Sequence, residues 1–212
     1  MLSPVIRPVF FQEKSKAKSK FESFEDHISP MKPFGFRGYF TNDKKFRSTS
    51  KGLNEPVICY GKGMEIGYLD RSEVLNRKEW INLYKVFTPR ANNIGTELSD
   101  DNLNTFIGKP GTICTESYIA IGADLKLNNK TATNLKKYFT TKYLRFMHSL
   151  AKASQDASSK TYKFVPLQDF TSKSDIDWSK SIAEIDKQLY KKYKLSKDEI
   201  EFIEKMIKPM KE

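Results

Sequence analysis

The chain has 212 residues, with 37 Lys+Arg against 26 Asp+Glu, a formal net charge of +11 and a pI near 9.4. That length is ample for a buried core, and although apolar residues make up only 38%, 15 Phe, 10 Tyr and 2 Trp exclude disorder throughout. No run approaches the roughly 18–20 uncharged apolar residues that a membrane span needs.

In chain order, residues 1–28 read as a flexible lead-in, with Pro4, Pro8 and alternating Lys and Ser over 14–20. The opening MLSPVIRPVFFQEK has Arg7 inside its short apolar stretch and no small-residue cleavage site, so it does not read as a secretion signal. SPMKPFGFRGYF (29–40) is too rich in Pro and Gly for a helix and specifies a shaped loop. Runs 57–60 and 65–69 around Gly61-Lys62-Gly63-Met64 predict a hairpin. SEVLNRKEWINLY (72–84) suits a short helix or two helical turns, and 85–88 a strand stopped by Pro89. A turn-rich loop, RANNIG, follows at 90–95, and Pro110-Gly111 precedes a strand expected over 112–121.

The most legible element is a single helix over 130–153. Ala132, Leu135, Phe139, Tyr143, Phe146 and Leu150 fall on one stripe, while Lys130, Lys137, Arg145 and Lys152 fall opposite, facing solvent. A short strand is expected at 162–165, stopped by Pro166, and then two helices at 181–193 and 198–206. The second has Ser196 as N-cap and Glu199 three residues on, a capping box. The fold class expected is α+β: a small mixed sheet, one long amphipathic helix and a short C-terminal helical cap. The organisation expected is a lead-in at 1–28, a domain at 29–172 and a helical extension at 173–212 packed on it.

The charge is uneven. Residues 1–172 carry 27 basic and 17 acidic groups, and 173–212 carry 10 and 9. Within 129–163 there are eight Lys/Arg and one acid, Asp156. Such a cluster is the footprint of a polyanion site, or else an ordinary solvated helix face.

Catalytic signatures are missing. GKGMEIG (61–67) lacks the spacing and following helix of a phosphate loop, and there is no G-x-S-x-G elbow. Glu65 and Asp70 approach a nuclease acid pair, without its Lys. Glu199, Glu201 and Glu204 sit among lysines, where helix pairing accounts for them. Cys59 and Cys114 lie in apolar runs and are too few for a disulfide scaffold; buried thiols in a cytoplasmic protein are expected. His27 and His148 cannot build a zinc site without other ligands, and His148, near the apolar stripe, reads as a core or boundary histidine.

An ordered series of segments carries a resemblance. It comprises SPMKPFGF (29–36), EWINLYKVFTPRA (79–91), GKPGTICTESYIAIG (108–122), LKKYFTTKYLRF (135–146), SQDASSKTYKFVPLQDFT (154–171) and DIDWSKSIAEIDKQLYKKYKLSKDEIEFIEKMIKPM (175–210). Together they resemble the C-terminal region of adenine-specific DNA methyltransferases of type II restriction–modification systems, including fused restriction–modification enzymes. The resemblance implies a target-recognition domain for duplex DNA. In that family an upstream domain binds S-adenosylmethionine and holds the N-P-P-Y/F pocket for adenine. Neither feature occurs here, so no cofactor is expected in this chain, and methylation would depend on a catalytic domain in cis or in trans.

Specific DNA binding needs phosphate contacts for register and base-edge contacts for identity. Lys130, Lys137, Arg145, Lys152 and Lys160 are the phosphate candidates, and Lys32 is a further DNA-binding candidate. Arg37 and Arg90 match guanine, while Asn92, Asn93 and Gln155 match adenine. Phe34 and Phe36 suit either wedging against bases or core packing, and Asn92 and Asn93 suit turn duty as well. Two other readings stay open: an interaction module joining the methyltransferase to a nuclease or second subunit, and a small nuclease.

Overall fold

The expected hairpin forms as β1 (Pro56–Tyr60) and β2 (Ile66–Asp70), with Tyr60 opposite Ile66. A computed structural model describes residues 22–92, 94, 103–152 and 154–210. Among these the fold is α+β, with two three-stranded sheets and four α-helices. The remaining strands are β3 (Lys85–Pro89), β4 (Phe106–Gly108), β5 (Thr112–Cys114) and β6 (Tyr118–Ile121). The sheet orders are β2-β1-β5 and β4-β3-β6, and only the β1–β5 pairing is parallel.

The strand expected over 112–121 is two strands in different sheets. The polar residues Thr115, Glu116 and Ser117 break it: the Thr115 hydroxyl accepts the Ser117 N–H at 3.4 Å, and the Tyr118 N–H returns to the Thr115 carbonyl at 3.1 Å. Short hydroxyl side chains favour such local bonds over a ladder. The two turns expected within 72–84 form as 3-10 turns at Arg71–Glu73 and Lys78–Trp80.

The second sheet divides two cores. Successive side chains on a strand point to opposite faces. Val86, Ile119 and Ile121 therefore enter one core, and Phe87, Tyr118 and Ala120 the other. Lys85 leads β3 fully buried, its Nζ donating to the carbonyls of Trp80, Ile81 and Leu83 at 3.0, 3.3 and 2.9 Å. Burial pulls its ammonium down to about 7. Cys59 and Cys114 are buried free thiols in the same core, where burial pushes Cys59 up to about 12.

The long helix expected over 130–153 is two helices, α1 (Asn129–Thr140) and α2 (Lys142–Ser149). Thr141 between them is extended (φ −66°, ψ 146°), and its hydroxyl caps α2 by accepting the Leu144 N–H. A stripe computed along one straight axis loses its phase at such a break. α1 keeps an apolar face through Ala132, Leu135, Tyr138 and Phe139, whereas Tyr143 to Ser149 are all buried. The strand expected at 162–165 is replaced by a 3-10 turn, Ser159–Tyr162, closed by a Ser158–Thr161 capping box.

The C-terminal helices form as expected, α3 (Ile182–Lys192) and α4 (Lys197–Met206), each started by a serine–glutamate capping box. They cover α2, with Tyr193 stacked on Tyr143 at 5.0 Å and Phe202 edge-on to Phe146 at 6.0 Å. At the other end, Phe24 is fully buried and Ile28 bridges to Ile121, so residues 22–28 belong to the folded body and not to a loose lead-in. No helix among the described residues is long and apolar enough to cross a membrane.

Candidate nucleic-acid interface

The helix cations do not form one solvent-facing row. Arg145 is 1% exposed, and its Nε donates to the Thr141 carbonyl at 3.2 Å. Its charge acts on Asp186 and Tyr190, both brought by α3. Asp186 in turn accepts the N–H groups of Lys142 and Tyr143 at 3.0 and 2.9 Å, closing the start of α2 from a neighbouring helix. Burial pushes the Asp186 carboxyl up to about 6, against the pull of those bonds. Arg145 is therefore a structural cation and not a phosphate ligand.

Lys137 and Lys152 are also engaged by the protein itself. Lys137 Nζ donates to the carbonyls of Trp178 and Lys180 at 2.8 and 3.3 Å. Lys152 Nζ donates to Asn92 Oδ1 at 2.6 Å and also to the Asn92 carbonyl, and burial pulls it down to about 8. That fixes Asn92 as well: it is 7% exposed, and its side chain also accepts the Ile94 N–H, which is turn duty and not base reading. Lys130 and Lys160 are exposed and Lys32 is half-buried. Asn93 lies outside the described residues. Phe34 and Phe36 are core, at 0% and 6% exposure, which rules out a wedge.

Arg37 and Arg90, by contrast, are brought together. The Thr115–Ser117 turn holds both: the Glu116 N–H donates to the Phe36 carbonyl at 2.9 Å, and the Arg90 N–H donates to the Ser117 carbonyl at 2.9 Å. Glu116 Oε1 accepts the Gly38 N–H at 3.0 Å, and Oε2 pairs with Arg37 Nη1 at 3.6 Å. Arg90 lies 3.9 Å from Asp156 and touches Met31 Sδ at 3.2 Å. The bridge between Ala91 and Asp156 sets exposed Gln155 beside it.

The turn forms one side of an open cleft of about 590 Å³ at the shared end of the two sheets. Gly38, the 62–64 tip of the β1–β2 hairpin, the 89–91 end of β3 and Asn104 complete its walls. The Tyr118 hydroxyl accepts the Met64 N–H at 3.0 Å, fastening the hairpin tip to the turn. Two wall residues, Met64 and Asn104, hold left-handed backbone (φ 66° and 45°). Lys32, Arg77, Lys126 and Lys194 hold the same conformation away from the cleft.

Sequence reasoning picked Arg37, Arg90 and Gln155 but missed Lys62 and Glu116. Glu116 was hidden because apolar alternation on both sides reads straight through it. The paired hydroxyls of Thr115 and Ser117 were the available signal for a turn.

His148 is a core residue. Its Nδ1 lies 3.2 Å from the Thr161 carbonyl, its ring lies 4.1 Å from Tyr162, and burial pulls its pKa down to about 3. Among the described residues, no group of three His, Cys, Asp or Glu side chains could hold a metal ion.

No protein-family model matches the chain, and no curated protein matches it.

Proposed function

We propose that this chain is the duplex-DNA target-recognition domain of an adenine-specific methyltransferase of the type II restriction–modification class. Methyl transfer would come from a catalytic domain, in cis or in trans, that binds S-adenosylmethionine. The observation that carries the reading is the convergence of Arg37 and Arg90 on one turn at the mouth of a cleft that Lys62 also lines. Two planar guanidinium forks whose main chain is anchored to one turn suit guanine O6/N7 or paired phosphates. The net charge of +11 supplies the sequence-independent attraction. Segment resemblance supplies the adenine-methyltransferase context.

The test is a duplex titration across salt concentrations. Binding at about 50 mM salt that weakens steeply as salt rises supports the reading, because phosphate neutralisation releases counterions. Binding that is absent at low salt, or indifferent to salt, sinks it. Charge reversal at Lys137 or Arg145 is the wrong probe, since both hold the fold. Arg37→Ala is the right one.

A second reading, an interaction module, has its own support. Six large apolar side chains exposed between residues 31 and 83 (Met31, Tyr39, Met64, Ile66, Leu75 and Leu83) belong to the lobe that carries the cleft. Unchanged DNA affinity in the Arg37→Ala, Arg90→Ala double variant would favour that reading.

A further inference from the structure

The cleft is larger than base-edge reading by an arginine requires. At about 590 Å³ the open cleft has the size of pockets that take a small organic ligand. Its chemistry is mixed in a particular way. Lys62 and Arg90 supply positive charge, Met64, Pro89 and Tyr118 supply apolar wall, and Glu116 supplies a carboxylate. An ionised carboxylate only accepts hydrogen bonds, and beyond the Gly38 N–H and Arg37 its oxygens keep acceptor sites that a ligand's donors can fill.

We infer that the cleft receives one unstacked guanine nucleotide, its phosphate against Arg90 and Lys62 and its base edge against Glu116. The inference rests on the nucleic-acid reading above and names what that site encloses. Guanine presents N1–H and N2–H side by side, two donors for two carboxylate oxygens. Adenine and cytosine place a ring acceptor beside their amine, which would face the second oxygen unfavourably. Thymine offers one N–H between two carbonyls. Glu116 has the capacity, because each oxygen has two acceptor sites. Oε1 uses one on Gly38, and Oε2 faces Arg37 at 3.6 Å. The apolar wall gives the base face a surface to lie on, and Arg90 and Lys62, both on the cleft wall, are the cations for its phosphate. The 61–64 turn takes part as a wall and not as a phosphate loop, since no α-helix follows it.

The experiment titrates the full chain with GMP, AMP, CMP and TMP, followed by protein NMR shifts. GMP is expected to saturate at least about tenfold more tightly than the others, the scale of one good bidentate base contact. Glu116→Gln keeps an acceptor for Gly38 and is expected to weaken GMP about tenfold while moving AMP less than about twofold. Gly38→Leu narrows the cleft from its wall; a Cβ there meets Ser117 Oγ at 3.6 Å and Glu116 Oε1 at 3.9 Å, ordinary contacts. It is expected to abolish GMP binding with an unchanged urea midpoint, and Glu116→Gln decides alone if Gly38→Leu fails to fold. A DNA hairpin with one bulged guanine is expected to bind more tightly than one with a bulged thymine. Equal binding of the four nucleotides, or GMP binding that ignores Glu116→Gln, overturns the inference. Duplex binding without a guanine preference would overturn it and keep the DNA reading. GMP binding without duplex binding would do the reverse.

Discussion

The two cores share a sheet and differ in what they do with polar groups. Among the described residues, the core formed with the four helices holds 26 buried hydrophobic residues, against 13 in the core beneath the first sheet. The larger one also buries Arg145, Asp186, His148, Asn134 and Gln168; the last four bond to groups 13 or more positions away, while Arg145 donates to Thr141 one turn back. The smaller lobe buries Lys85 but leaves Arg37, Tyr39 and Met64 exposed at or beside the cleft. The helices bring a carboxylate and carbonyls from distant sequence to the polar groups of the larger core, whereas the carbonyls around Lys85 come from the turn just before it. Substitutions in the larger core should therefore change stability, and those at the cleft should change binding.

The largest effect expected is from Asp186→Ala, which leaves two α2 amide groups and Arg145 without their carboxylate. Removing one member of a buried charge network typically costs about 3 kcal/mol. Urea unfolding should show that loss, with DNA affinity of the folded fraction unchanged. A loss under about 1 kcal/mol would break the contrast.

Acid should act through the same core. His148 is held near 3, below its usual 6.5, so between those values the unfolded chain binds the extra proton. Its contribution is present above pH 6.5 and lost as pH falls toward 3, at up to about 1.4 kcal/mol per pH unit. Asp186 acts oppositely: with its carboxyl raised from 3.8 to about 6, the folded state takes up the proton first, and stability is gained as pH falls through that window. His148→Phe should remove the destabilising part and leave the Asp186 part. Unfolding curves at stepped pH would show this, and identical slopes in both proteins would count against a neutral buried imidazole.

At the cleft the order reverses. Arg37 is 54% exposed and paired only at 3.6 Å, so Arg37→Ala should move stability by less than about 0.5 kcal/mol. It should nonetheless weaken duplex binding roughly tenfold, measured by fluorescence anisotropy at fixed salt. A large stability loss without an affinity loss would make Arg37 structural. The smallest effect is expected at Lys130, exposed at the start of α1: Lys130→Ala should lower the salt slope by about one unit at most and leave the melting temperature in place.

Much of the local architecture was legible. The hairpin around 61–64, the strand before Pro89 and both C-terminal helices follow from alternation, prolines and serine–glutamate boxes, which act within a few residues. The errors occurred where a short polar pair interrupts a longer apolar pattern. Thr140-Thr141 split a helix and Thr115-Glu116-Ser117 split a strand, because hydroxyl side chains cap and turn the backbone at small cost to the flanking periodicity. The site was legible in part for the same reason: Arg37 and Arg90 stand out in loops, while Glu116 lay inside an apparent strand.

The sequence by itself determined that this is a basic α+β chain with enough aromatics for a real core, and where most of its elements start and stop. Only the tertiary structure decided which cations remain available to a partner. Periodicity places Arg145, Lys137 and Lys152 on a polar face, yet Asp186, the Trp178 and Lys180 carbonyls and Asn92 meet them there. Those groups come from 41 to 60 positions away, and no local pattern records that they arrive. Arg90 and Lys62, which periodicity did not single out, line the open cleft, and Arg37 pairs with Glu116 on its wall.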